Sequence, residues 1–315
     1  MTLDGIAEAE ATPVIATHGL VKRFSDVDAV AGIDLHVPAG GVYGFLGPNG
    51  AGKTTTIRIL LGLLRPTRGG ASLFGEPVAP GRPVLDRVGA LVERPAFYPY
   101  LSAADNLRLL GLTRGIADSR LRAAVPAALD RVGLTEAAAR KAGRFSTGMR
   151  QRLGIAAALL SGPELVVLDE PANGLDPAGI KEVRELLRRL GAEGRTVFVS
   201  SHILSEVQQM AERVAIIARG RRVADGRVSD VLASRTSSGV LVRVPDVEQA
   251  GRSLDRAGIG WTREGERLRV AIDPQDGADV TRILASDGVY LSELRPVEAD
   301  LETVFLELTA DGGRL

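Results

Sequence analysis

The chain has 315 residues with 39 basic and 39 acidic side chains, so it carries no formal net charge, which argues against a general nucleic-acid binder; no nucleic-acid partner is expected. The length suits one large domain with a small one, and 45% hydrophobic against 4% aromatic residues predicts cores of Leu, Val, Ile and Ala. Cys is absent, which excludes disulfides and thiolate metal sites, and no run reaches the ~18 apolar residues of a membrane span.

In chain order, residues 1–13 carry acids before any base and no apolar segment, so they read as a tail and not as a signal peptide. Residues 14–47 contain three strand-like runs, VIATHGLVKRF, AVAGIDLHV and GVYGFLG. A helix is predicted from Lys53 to Leu64, with Ile57, Leu60, Leu61 and Leu64 on one face. A strand, VGALVE, is predicted to end at Glu93, and residues 102–161 read as almost pure helix. Strands return as LVVLD, TVFVS and VAIIA, each separated by a helix, which implies a parallel sheet covered on both faces. The helical block, about 94–161, therefore interrupts an α/β core spanning 14–235. Residues 239–315 change texture. They read β-α-β-β-α-β, with a hairpin turning at Glu264-Gly265 and a closing helix in DLETVFLELT, a ferredoxin-like extension.

Two segments carry chemistry. Gly47-Pro48-Asn49-Gly50-Ala51-Gly52-Lys53-Thr54-Thr55 follows a strand and opens a helix, the setting of a phosphate loop. Its glycines let backbone N–H groups turn inward on phosphate oxygens, Lys53 reaches the β- and γ-phosphates, and the Thr54 hydroxyl can ligate Mg²⁺. In LVVLDEP, a buried strand delivers Asp169 to that metal, and Glu170 is suited to act as the base that polarises an attacking water. A third segment, GRFSTGMRQR, has no acid and opens a helix with bare amides, an arrangement fit for an anion.

The phosphate loop, GRFSTGMRQR and LVVLDEP, in that order, resemble the nucleotide-binding subunit of an ABC transporter over roughly residues 14–235. The resemblance implies a P-loop NTPase fold of the α/β class, with the inserted helical subdomain, that hydrolyses ATP with Mg²⁺. Ser146, Thr147, Gly148 and Met149 stand where the family has its signature, with Thr147 and Met149 departing from the usual LSGGQ. The resemblance implies that this helix start faces the ATP held by a second copy, so that two ATP sites are shared across an ATP-dependent homodimer. Asp176, in NGLD, matches the D-loop, and His202, in VSSHIL, matches the switch histidine that contacts the γ-phosphate. Phe24 stands where an aromatic stacks on adenine. Glu93 replaces the usual Q-loop glutamine, where a carboxylate oxygen suits Mg²⁺; the alternative is a solvated Glu at a strand end.

LVERPAFYPYLSAADNL and PVEADLETVFLELT resemble the daunorubicin- and bacitracin-type resistance ATPases. This implies an exporter ATPase acting through a separate integral-membrane permease, peripheral on the cytoplasmic face of the membrane. The alternatives are an importer ATPase, or a soluble ABC ATPase of the translation or DNA-repair class. The single cassette and the absence of sustained heptads weigh against the latter.

Overall fold

The structure, a computed structural model, describes residues 12–93, 95–233, 239–297 and 300–311. The chain divides into two compact units, Met1–Val228 and Ser229–Leu315. Most of the expected tail at 1–13 and the expected junction at 236–238 lie outside the described residues.

The first unit begins with β1 (Ile15–Phe24) and β2 (Val27–Val37), an antiparallel pair, followed by β3 (Val42–Leu46) and α1 (Lys53–Leu60). Helix α1 stops four residues earlier than its apolar periodicity predicts. Gly62, at φ 68°, lets Leu63 N–H reach Arg58 O at 2.8 Å while its own N–H reaches Ile59 O at 2.9 Å, the paired bonds of a glycine C-cap. Two strands follow that sequence periodicity does not reveal, β4 (Arg68–Leu73) and β5 (Glu76–Pro77). The first is hidden because it opens Arg-Gly-Gly, and a Cβ at Gly69 would lie 2.3 Å from the Gly19 carbonyl of the adjoining β1. Strands β2-β1-β4-β5 form one antiparallel sheet, in which His18 and His36 pack ring against ring.

Strand β6 (Val88–Leu91) ends two residues before Glu93, which turns the chain at φ 64°. Helices α2 (Ala103–Thr113), α3 (Asp118–Arg131) and α4 (Thr147–Leu159) make the helical block. It is less continuous than expected, because residues 132–146 run as turns and short 3-10 segments that carry the Ser146 helix cap. Alternation of strand and helix then resumes with β7 (Leu165–Asp169), α5 (Pro177–Ala192), β8 (Thr196–Ser201), α6 (Leu204–Gln208), β9 (Arg213–Ala218) and β10 (Arg221–Arg227), and α7 (Val228–Ala233) begins at the boundary with the second unit. Strand β10 was not expected; its RRVADGR sequence is too polar to read as a strand and joins only as the antiparallel edge beside β9.

The second sheet has the order β10-β9-β3-β8-β7-β6, with β9, β3, β8, β7 and β6 parallel. Its strands are apolar on both faces because both faces are covered. Val166, Leu168, Val197 and Val199 pack with α5 and the helical block, whereas Leu165, Val167 and Phe198 pack with α1 and the antiparallel sheet. Charged groups are therefore driven to the carboxyl ends of β3, β7 and β8, three adjacent strands, where an open α/β sheet holds its ligand. Among the described residues, no helix is long and apolar enough to cross a membrane.

The second unit contains β11 (Gly239–Arg243), α8 (Val247–Arg256), β12 (Trp261–Glu264), β13 (Arg267–Val270), α9 (Gly277–Ser286), β14 (Glu293–Val297) and α10 (Leu301–Asp311). The sheet order β12-β13-β11-β14 is antiparallel throughout and is that of the split β-α-β arrangement. Its own core joins Val240, Val242, Leu268 and Val270 to Ala250, Leu254, Val280 and Leu284 of the two helices.

One polar tie braces the first unit. Tyr43 of β3, buried, donates from its phenol to Asp225 Oδ1 of β10 at 2.7 Å, and Arg222 holds the other oxygen at 2.6 Å. Burial first, and then the Asp225 charge, push the phenol well above its usual range, so it remains a donor. Tyr43→Phe leaves a half-buried carboxylate with one partner fewer, and urea melts are expected to lose roughly 1–2 kcal/mol; an unchanged midpoint would show the tie to be idle.

Candidate nucleotide site

The segment from Gly47 to Thr55 leaves β3 and enters α1, and its shape depends on two close approaches that only glycine permits. A Cβ at Gly47 would stand 2.4 Å from the Ile217 carbonyl. At Gly52, which has φ +103°, a Cβ would stand 2.3 Å from the Ala29 carbonyl. Pro48, Asn49 and Gly50 are exposed at the tip, Ala51 and Gly52 are buried, and Thr54 and Thr55 are half-buried. Lys53 is only 5% exposed, and its ammonium donates to the carbonyls of Gly47 at 2.7 Å and Pro48 at 3.2 Å. The loop thus curls round a buried cation.

Asp169, at the end of β7, is gripped on both oxygens. Thr54 Oγ1 donates to Oδ2 at 2.8 Å, and Ser200 Oγ donates to Oδ1 at 2.5 Å. Glu170 takes the left-handed φ of 49°, and its backbone N–H donates to the same Ser200 hydroxyl at 3.0 Å. Its carboxylate lies between two cationic or potentially cationic groups. Oε1 is 3.0 Å from Lys53 Nζ, and Oε2 is 2.7 Å from His202 Nδ1. The Lys53 contact is an ion pair without hydrogen-bond alignment, so Oε1 is buried without a hydrogen-bond donor. Ser201 Oγ, accepting from Ile203 N–H at 2.9 Å, tightens the turn after β8 that presents His202.

The donor set fits Mg²⁺. Thr54 and Asp169 are two hard oxygen ligands already in contact, and this ion binds through one or two protein oxygens while taking the rest from phosphates and water. Among the described residues no group of three or more His, Cys, Asp or Glu could hold a metal ion. Glu93 is not joined to Thr54 or Asp169. Its carboxylate pairs with Arg58 of α1, and the side chain is 61% exposed. It does line a cavity of about 530 Å³ together with Asp169, Glu170, Asn173, Thr147 and Arg150.

Of the remaining predicted residues, Thr147 shares that cavity wall and the others lie outside its lining. Ser146 caps α4, its hydroxyl accepting from Met149 N–H at 3.2 Å; the Thr147 and Gly148 amides lie in the first turn, ahead of any intrahelical acceptor. No acid occupies the first turn of α4, so its positive end is not neutralised locally. Asp176 caps α5, accepting from Gly179 N–H at 3.0 Å. Phe24 ends β1 with 48% of its surface exposed and the Lys22 ammonium 5.1 Å from its ring centre. Sequence reading passed over Ser200, which is fully buried. The available signal was a pair of serines closing a strand just after an apolar Val-Phe-Val run.

Comparison with known proteins gives this geometry its context. The ABC transporter family model matches residues 30–173. The bacitracin transport ATP-binding protein BcrA of Enterococcus faecalis is 37% identical over 304 residues, 95% of this chain and 97% of the relative. The daunorubicin/doxorubicin resistance ATP-binding protein DrrA of Streptomyces peucetius is 36% identical over 307 residues, 95% of this chain and 93% of the relative. Among solved structures, cbiO1 from Clostridium perfringens, part of the ABC transporter complex cbiONQ, superposes with a TM-score of 0.65 at 25% identity, covering 71% of this chain and 92% of its own. The chain belongs to the ATP-binding subunits of ABC transporters, ATPases that work with a membrane permease.

Proposed function

We propose that this subunit hydrolyses Mg²⁺-bound ATP at the carboxyl ends of β3, β7 and β8 to drive export of a drug, antibiotic, peptide or lipid-like compound. The export reading rests on the likeness to bacitracin and daunorubicin/doxorubicin resistance ATP-binding proteins over nearly the whole chain. The chain acts from the cytoplasmic face of the membrane, through a separate integral-membrane permease. The observation that carries the chemistry is the Lys53–Glu170–His202 chain of contacts, which gathers a phosphate-binding cation, a carboxylate and an imidazole at one point.

In this reading the phosphate-loop amides and Lys53 hold the triphosphate, with Phe24 stacking on adenine. Thr54 Oγ1 and Asp169 Oδ2 hold Mg²⁺, which when bound offsets charge on the phosphate oxygens. Lys53 leaves Glu170 as it takes up the γ-phosphate, and the freed Oε1 accepts a proton from the attacking water. The water oxygen bonds to the γ-phosphorus as the bond to the ADP oxygen breaks. His202 orients Glu170 through Oε2 and reaches the departing phosphate. Arg58 neutralises Glu93, leaving it as a second-rank oxygen donor on the cavity wall.

The uncapped amides of Thr147 and Gly148, which lie between the Ser146 hydroxyl and the Met149 amide it caps, bind the γ-phosphate of ATP held by a second copy, with Asp176 at the junction of the two. An uncompensated helix N-terminus suits that anion.

Glu170→Gln keeps the cradle but loses the proton acceptor, so turnover is expected to fall by about 10²–10⁴-fold with ATP binding retained. Size-exclusion chromatography with ATP should find this variant as a dimer; a monomer with full turnover would refute the assignment. Lys53→Ala and Ser146→Arg damage opposite halves of one composite site. Mixing the two inactive variants is expected to restore part of the nucleotide occlusion measured with labelled ATP, because a heterodimer keeps one intact site, and no recovery would argue for sites confined to one chain. Glu93→Gln is expected to flatten the Mg²⁺ dependence of ATP affinity, and identical titrations of the two proteins would make Glu93 a bystander.

A further inference from the structure

We infer that Ser200 is a positioning residue of the ATPase site, a single hydroxyl that sets both carboxylates at once. The inference rests on the roles proposed for Asp169 and Glu170. In the parallel register Ser200 is the direct neighbour of Asp169, so the two side chains share one face of the sheet. That register alone brings the hydroxyl to the carboxylate; it closes at 2.5 Å onto Oδ1.

A serine hydroxyl has one proton and two lone pairs. The proton is committed to Asp169 Oδ1, and a lone pair receives the Glu170 N–H at 3.0 Å. Two consequences follow. With Oδ1 held by Ser200, Oδ2 is the oxygen turned toward Thr54, the side on which these two residues would hold a metal. With its N–H tethered, Glu170 is held at φ 49°, a conformation that side-chain-bearing residues rarely adopt, and from there its carboxylate reaches Lys53 and His202. Ser200 is fully buried in the body of β8, two residues before His202, so the strand that positions the imidazole also positions both acids. An alanine would leave the part-buried Glu170 N–H unpaired and remove one of the two hydroxyls that hold Asp169. An ordinary core position in an otherwise Val-Phe-Val strand has no use for a hydroxyl shared between two catalytic-site acids.

The test compares Ser200→Ala, Ser200→Cys and Ser200→Thr in the full chain. Ser200→Ala and Ser200→Cys are expected to lose about 10–100-fold in kcat with little change in KM for ATP, the scale of removing a metal ligand's supporting partner. In the Glu170→Gln background, where no turnover intervenes, electron paramagnetic resonance of Mn²⁺ with ATP should find the metal bound about tenfold more weakly when Ser200 becomes Ala. Ser200→Thr keeps the hydroxyl and is expected to restore both values. Wild-type kcat and Mn²⁺ affinity in a folded Ser200→Ala or Ser200→Cys chain would overturn the inference. Equal losses in Ser200→Thr would also overturn it, since packing would then be the cause. If thermal melts show that neither the Ala nor the Cys chain folds, Ser200 serves the core and the inference fails too. An active Glu170→Gln chain would instead sink the site reading itself, whereas an inactive one beside an unaffected Ser200→Ala would sink only the role of Ser200.

Discussion

A buried ammonium organises this site. Lys53 is almost withdrawn from water, and an unpaired cation there would cost several kcal/mol. Two carbonyls of its own loop and the Glu170 carboxylate meet that cost. The loop can turn its carbonyls inward at Gly47 and Pro48 only because Gly47 and Gly52 press against the backbones of Ile217 and Ala29, leaving no room for a side chain. The opposite charge on Glu170 has to arrive from a different strand. The Gly47–Thr55 loop and the Glu170 carboxylate are therefore one electrostatic unit joined through Lys53, and in the function proposed above a triphosphate enters by replacing one anionic partner of Lys53 with another.

The sheet makes that convergence possible. A parallel sheet covered on both faces has nowhere to keep charge except its strand ends, and β3, β8 and β7 are neighbours, so their last residues fall within hydrogen-bonding distance. The strand pairing sets Asp169 against Ser200 and Leu46 against Ser201, so one register aligns the Gly47–Thr55 loop, Asp169 and the His202 turn together. A slip of one residue would turn Asp169 into the apolar layer below.

The start of α4 answers to a different constraint. Ser146 satisfies one of its orphan amides through its own side chain, and no carboxylate follows to neutralise the rest. Natural helices commonly bring an acid to that position, so an open N-terminus beside a cavity lined by Asp169 and Glu170 leaves a positive pole facing carboxylates. The missing acids of GRFSTGMRQR leave the start of α4 open to an anion, the role proposed for it above.

Much of this was readable from the chain alone, and the reasons are local. Glycines at Gly47, Gly50 and Gly52 followed by Lys53-Thr54, and four apolar residues running into Asp169-Glu170, are contiguous patterns whose chemistry depends on spacing within ten residues. The β-α-β-β-α-β order of the last seventy-odd residues was equally legible, because each element carries its own period. What the sequence could not reveal depended on partners distant in the chain. Strands β4 and β10 are too glycine-rich or too polar to have strand character, and exist because a neighbouring strand offers them a ladder. Glu93 stands where a metal ligand is expected by position, and its pairing with Arg58, thirty-five residues earlier, could not be read from the chain. Ser200 was two ordinary letters before a histidine until the register of β7 against β8 placed its hydroxyl on Asp169. Sequence determined which groups are present and which segments can be regular, because propensity and spacing are properties of the local chain. Tertiary structure alone decided which group holds which, because a hydrogen bond depends on distances that only the packed sheet defines.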